Sequence, residues 1–195
     1  MTKQWAMVIR LTLATGLRRG EVFGLIWKNV DFSKNTIKIN TNLQKGKLES
    51  PKTKYSIRTI SVDTDTMQRL KDWKQQQFKY AESLGDLYHN KLKTVFTGAF
   101  GSTVQLDNFR KRIFNRMIAK AGLAESITFH SLRHTHATQL LAKGIDAKTV
   151  SKRLGHSSVA FTLQTYVHVL PDVERNAADI MGAIMMGKKP EPAAS

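Results

Sequence analysis

Cysteine is absent from this 195-residue chain. That excludes disulfides, thiolate zinc sites and cysteine nucleophiles, and it accords with a reducing compartment. No apolar run approaches the roughly 20 residues that a membrane-spanning helix needs. The opening Met1-Thr-Lys-Gln-Trp-Ala-Met lacks the cleavage pattern of a signal peptide. The reading from these absences is a soluble cytoplasmic protein with no membrane partner. Acidic residues are scarce, 15 against 31 Lys and Arg, for a formal charge of +16. They are also scattered: Asp63, Asp65, Asp72 and Asp107 read as helix caps and surface charges, leaving no carboxylate cluster to hold a divalent metal. Such a basic excess points to a polyanion, because each cation near a phosphate releases condensed counterions. No Lys/Arg-rich amphipathic stretch stands apart to suggest a lipid surface instead.

What is present reads as one mostly helical α+β domain over residues 1–186, followed by a disordered tail, 187–195. Trp5, Val8, Leu11, Leu13 and Leu17 mark a first helix starting near residue 2, and a short second helix runs from Arg19 to about Leu25. Residues 36–62 alternate apolar and polar around turn signals, which predicts a small three-stranded antiparallel sheet from 36–43, 48–51 and 57–62. Helical patterns follow over about 63–84, 106–121, 130–143, 146–154, 158–168 and 171–186. Asp63, Thr64 or Asp65 is placed to cap the first of these, and Gly144 to stop the third.

Four clusters carry possible chemistry. Thr15-Gly-Leu-Arg18-Arg19-Gly-Glu21 sets two arginines at a glycine-punctuated helix start, where free N–H groups also favour an anion. His130 and Arg133 are three apart, hence on one helical face. Leu154-Gly-His156 opens the next segment, and Tyr166 lies ten residues beyond it. Taken singly, each is weak: a helical Arg is usually a solvated residue and a lone Tyr usually core. Zinc is one rival, since His130 and His134 have i, i+4 spacing with His136 beside them. Ser131 stands where a zinc-peptidase glutamate would be needed, however, and Arg133 repels a cation. A non-enzymatic DNA-binding regulator is the other. Ala147 to Ser158 has a helix-turn-helix look, but that reading leaves the Arg, Lys, His and Tyr set without a purpose.

The order of the clusters is more specific than any of them. Thr-Gly-x-Arg-x-x-Glu, a hairpin bearing Lys52-Thr-Lys-x-Ser-x-Arg-Thr-Ile, His-x-x-Arg, Leu-Gly-His and then Tyr resemble the tyrosine site-specific recombinases, in particular phage and integrative-element integrases, over roughly residues 10–170. The resemblance implies a catalytic domain that cleaves and rejoins DNA through a 3′-phosphotyrosyl intermediate, with no cofactor, metal or ATP. It implies Tyr166 as nucleophile, Arg18 and Arg133 as the phosphate clamp, and His156 as a phosphate hydrogen-bond donor. His130 would assist proton transfer, and Glu21 would support the arginines. Lys52 is the preferred general acid by analogy, with Lys54 the alternative. Arg19, Lys54 and Arg58 are candidate DNA contacts. Implied partners are a double-stranded crossover site, a homotetramer on that DNA (a monomer without it) and accessory bending or excision factors. Core-binding and arm-binding domains of such proteins are not visible in the chain, which is therefore expected to be a catalytic fragment that binds DNA weakly alone. Whether the last helix docks on its own domain or on a neighbour stays open.

Overall fold

The computed structural model describes residues 2–51, 53–166 and 173–187. Helix α1 (Thr2–Thr15) runs through the core, burying Trp5, Val8 and Leu11, and stops at Gly16. Gly16 sits at φ +68°, and a Cβ there would lie 2.6 Å from both His136 and Leu154 side chains. Only glycine meets both demands, a left-handed turn and close packing. The short helix α2 (Arg19–Phe23) follows and sends Val22 and Phe23 inward.

The expected three-stranded antiparallel sheet is present, with different members. Its order is β1 (Val30–Asp31), β2 (Thr36–Ile39) and β5 (Arg58–Ser61), with Ile37 opposite Ile60. The segment expected as one strand over 36–43 breaks after Ile39. Asn42–Gln44 (β3) and Lys47–Glu49 (β4) form a separate hairpin across Lys45-Gly46. Thr41 explains part of the break: its hydroxyl donates to the Gly24 carbonyl, pulling the chain off the ladder toward α2. The hairpin packs so closely on α2 that a Cβ at Gly20 would meet the Asn42 side chain at 2.1 Å. The apolar piece 94–97 is tied in by backbone bonds, Val95 N to Leu25 O at 2.8 Å and Trp27 N to Lys93 O at 3.0 Å.

Helix α3 (Thr64–Leu84) is capped by Asp63, which accepts from Thr66 N at 2.8 Å. The expected helix over 106–121 is continuous but not uniform. Leu106–Asn108 (α4) and Asn115–Lys120 (α5) are α-helical, and Phe109–Phe114 between them is π-helical. Five residues apart, Phe109 and Phe114 would lie about 140° from each other on an α-helix. The wider π turn brings both rings into one aromatic core with Trp5, Phe23 and Phe129, at centroid separations of 4.7–6.4 Å.

Helix α6 (Phe129–Ala142) starts with a reciprocal cap between Thr128 and Ser131, and α7 (Ala147–Leu154) is capped by Asp146. Helix α8 (Val159–Tyr166) closes a second, small core of Ala137, Leu141, Val150, Leu154 and Tyr166. The last described helix, α9 (Val173–Met185), leaves Met181, Ile184 and Met185 exposed. Among the described residues no helix is long and apolar enough to cross a membrane. The tail expected to be disordered lies, beyond Gly187, outside the described residues.

Candidate active site

The two arginines that the sequence singles out reach one place from opposite ends of the chain. Arg133, on α6, is 2% exposed; its Nη1 donates to Gly16 O at 2.7 Å and its Nη2 to Leu154 O at 2.8 Å. Arg18, on the α1–α2 turn, donates from Nη2 to Gly155 O at 3.2 Å. The guanidinium groups thus hang from adjacent carbonyls at the C-terminal end of α7, the negative end of that helix. Gly155 takes φ +70°, and a Cβ on it would approach Arg58 Nη1 to 2.8 Å. The glycine of the Leu-Gly-His element is therefore dictated by packing on an arginine, and that of the Thr-Gly element by packing on His136 and Leu154.

Glu21 is the carboxylate beneath them. It is 4% exposed and accepts from the Arg18 backbone N at 2.8 Å, Arg18 Nη1 at 3.1 Å, and Arg58 Nη1 and Nη2 at 2.9 and 3.0 Å. Burial pushes its pKa up, but the bonds and charges of Arg58 and Arg18 outweigh that, so the net movement is downward and the carboxylate stays ionised. Arg58 corrects an expectation. It was expected to face DNA, yet its side chain is 5% exposed, and its donors are taken by Glu21, Ser56 O and Arg153 O. The alternation of β5 turns it inward with Ile60.

Arg18, Arg19, His130 and Arg133 line one open cavity of about 300 Å³, together with Arg110 and Thr128. Arg19 is partly exposed there and donates to Leu106 O. With carbonyls holding only part of each guanidinium fork, donors remain for an anion in the cavity. Burial, and then the charge of Arg18, pull the pKa of Arg133 down; a guanidinium nevertheless stays protonated at physiological pH.

His130 and His134 meet edge to face at 4.6 Å, and His134 lies 5.5 Å from the Tyr166 ring. Burial, followed by His134, Arg133 and Arg18, lowers the pKa of His130. His156 pairs through Nδ1 with Thr162 Oγ1 at 2.8 Å and meets Phe161 edge to face. Burial, then Arg133, Arg18, Arg58 and His130, lower its pKa to about 4. Tyr166 is 3% exposed, and burial raises its pKa against the opposing charge of Arg133. The charges of Arg133, Arg18 and Arg58 thus all bear on His156, and that of Arg133 on Tyr166. Lys52 lies outside the described residues, and Lys54 is placed by its backbone alone, in the single turn Lys54–Ser56.

Sequence reasoning missed Arg153; for His136 it expects a structural packing or hydrogen-bonding role, which the structure bears out. His136 Nδ1 donates to Leu13 O at 2.7 Å, so its Nε2 accepts from Arg153 Nε at 3.1 Å, while Arg153 Nη2 donates to Ala14 O at 2.8 Å. The pair caps the last carbonyls of α1, and both ring nitrogens of His136 are thereby committed within the protein. Burial is the main reason its pKa falls to about 4. Because His136 and His156 are held neutral, the unfolded chain takes up protons first as pH drops below 6.5. Stability present at pH 7.5 is therefore expected to decline between about pH 6.5 and 4. Urea titrations should show a loss of about 3 kcal/mol attributable to His136, and less to the partly exposed His156. Replacing His136 by Gln should flatten that decline.

Comparison with known proteins agrees with the arrangement. Residues 2–172 match the model of the Phage integrase family. A "Tyrosine recombinase XerC-like" protein of Caldanaerobacter subterraneus subsp. tengcongensis is 32% identical over 191 residues, covering 90% of this chain and 48% of that protein. The "ICEBs1 integrase" of Bacillus subtilis is 33% identical over 174 residues, covering 85% and 45%. This chain thus spans about half the length of the curated relatives it matches. Among solved structures, the Tn1549 transposon integrase in complex with a circular intermediate DNA superposes with a TM-score of 0.73 at 26% identity, over 90% of this chain and 57% of that one. The XerH recombinase in a post-cleavage complex with its difH substrate gives 0.62 at 25%, over 90% and 45%. By fold, site and kinship together, the chain belongs to the phage integrase family and has the catalytic domain of a tyrosine recombinase.

Proposed function

We propose that this chain breaks and rejoins DNA strands at a specific site, as its family's integrases do, with Tyr166 as nucleophile. The observation that carries this reading is the convergence of Arg18 and Arg133 on one cavity from neighbouring carbonyls of α7. Two forked cations there fit the non-bridging oxygens of one phosphodiester and are worth most when charge builds up on them in the transition state. The phenol oxygen attacks phosphorus and forms the Tyr166–phosphate bond; the bond to the 5′-oxygen breaks, and that oxygen takes a proton from Lys52 or Lys54. A second strand's 5′-hydroxyl reverses the step, so rejoining needs no ATP. With guanidinium and ammonium groups balancing the phosphate charge, the chemistry requires no metal ion.

His130, its pKa lowered and therefore neutral, is suited to receive the phenol proton. For His156 to donate to a phosphate oxygen from Nε2, its Nδ1 must accept, and Thr162 Oγ1 is the hydroxyl that supplies that bond. Burial of Tyr166 in the small second core supports a nucleophile withheld until DNA and neighbouring subunits arrive. The exposed apolar residues of α9 suit assembly into a tetramer on the DNA. The test is a nicked duplex carrying the element's crossover site, from which the short fragment bearing the freed 5′-hydroxyl diffuses away. The expected result is a denaturation-resistant protein–DNA adduct that maps to Tyr166 and is absent from Tyr166→Phe. Binding that is only reversible and salt-sensitive would instead mark a non-enzymatic regulator.

A further inference from the structure

We propose that Arg110 is a third arginine of the phosphate cavity, holding a DNA phosphate next to the one gripped by Arg18 and Arg133; this rests on the reading of the cavity given above. The argument begins with the π-helical stretch Phe109–Phe114. Its wide turn lets Phe109 and Phe114 both pack on Phe129, at centroid distances of 5.8 and 5.7 Å. Phe129 is the first residue of α6, directly before His130. The two rings therefore fasten the π turn to the start of the helix that carries His130 and Arg133. Arg110, which follows Phe109, is left on the cavity wall beside Thr128 and His130.

Its state differs from that of its neighbours. Arg133 is buried and bonded to two carbonyls, Arg18 is bonded to Glu21 and Gly155, and Arg19 donates to Leu106 O. Arg110 is exposed, and among the described residues no hydrogen bond or ion pair engages its guanidinium. An exposed guanidinium on the cavity wall keeps all five donors available for a ligand. Its position is accounted for when an anion completes the set. The cavity already commits Arg18 and Arg133 to one phosphate, so the anion within Arg110's reach is an adjoining phosphate of the same strand. Lys111 is also exposed on the π turn but does not line the cavity, and it provides the internal control.

The experiment uses fluorescence anisotropy with labelled half-site duplexes, in parallel with adduct formation on the nicked substrate. Arg110→Ala is expected to weaken duplex binding about 10- to 100-fold and to lower the salt slope by about one. Thermal stability should hold, because the side chain is exposed. Arg110→Lys should recover part of the affinity. A neutral methylphosphonate beside the scissile phosphate should weaken wild type but leave Arg110→Ala unaffected. If Arg110→Ala weakens binding no more than Lys111→Ala does, or responds to the methylphosphonate as wild type does, the proposal fails. A wild-type chain that binds the duplex but forms no adduct overturns the recombinase reading instead, while the anisotropy series still decides the role of Arg110.

Discussion

Replacing Arg133 by alanine is expected to remove strand cleavage and a large share of the domain's stability in one step. The side chain joins three elements, with α6 supplying the guanidinium and the α1–α2 turn and α7 supplying the carbonyls of Gly16 and Leu154. Without it, two carbonyls are left buried and unpaired, each at about 1–3 kcal/mol, so the total loss should be on the order of 3–5 kcal/mol. That is a large share of the roughly 5–15 kcal/mol typical of a domain. Arg133→Lys separates the two roles. An ammonium retains the charge and one bond but cannot span both carbonyls and still present a fork to the phosphate. The lysine variant should therefore fold with a lower urea midpoint, yet form the covalent adduct about 100- to 1000-fold more slowly. A folded Arg133→Lys protein that cleaves at the wild-type rate would remove Arg133 from the phosphate site.

Glu21→Ala should be nearly as damaging, although Glu21 touches no substrate. It neutralises Arg58, whose side chain is 5% exposed, and orients Arg18 through both a side-chain and a backbone bond. Removing one partner of a buried ion pair leaves an uncompensated charge and costs about 3–5 kcal/mol. Glu21→Gln keeps the shape and some of the hydrogen bonds, so it should fall between wild type and alanine in urea denaturation. It should also slow adduct formation, because Arg18 loses the charged anchor that aims it. Acid acts in the same direction. The depressed pKa of Glu21 means its contribution is present above the ordinary carboxylate range and disappears as pH falls through its lowered value, below the histidine window. Double replacement of Glu21 and Arg58 by neutral residues of similar size should cost less than Glu21→Ala alone, a non-additivity that equilibrium unfolding would reveal.

The ordered clusters were legible in the sequence because each is local: a glycine, an arginine two or three residues away, a histidine three from an arginine. The sheet was legible as alternation. Its membership was not, because Val30–Asp31 is too short to show a period and the break at Asn40-Thr41 depends on a contact with Gly24. Arg58 and Arg153 show a different limit. A basic side chain in a basic protein carries no mark of whether it faces phosphate or props up a fold, and only the carbonyls of Ala14 and Arg153 and the carboxylate of Glu21 reveal the second. Arg110 was passed over for the complementary reason. It follows a core phenylalanine in what reads as a plain amphipathic helix, and the π turn that redirects it comes from the spacing of Phe109 and Phe114 against Phe129. Thr162 lies between His156 and Tyr166 in the chain, but its hydroxyl bond to His156 is visible only once α8 folds back on the Leu-Gly-His turn.

Arg18 and Arg133 are both moored to successive peptide oxygens at the end of α7, and the chain continues from that same point into His156 and the helix bearing Tyr166. A tilt of α7 therefore swings the two cations together, keeping their separation while altering their aim. The same tilt moves the root of the segment that ends in the phenol. One lever at this corner thus sets both the aim of the guanidinium pair and the position of the Tyr166 ring.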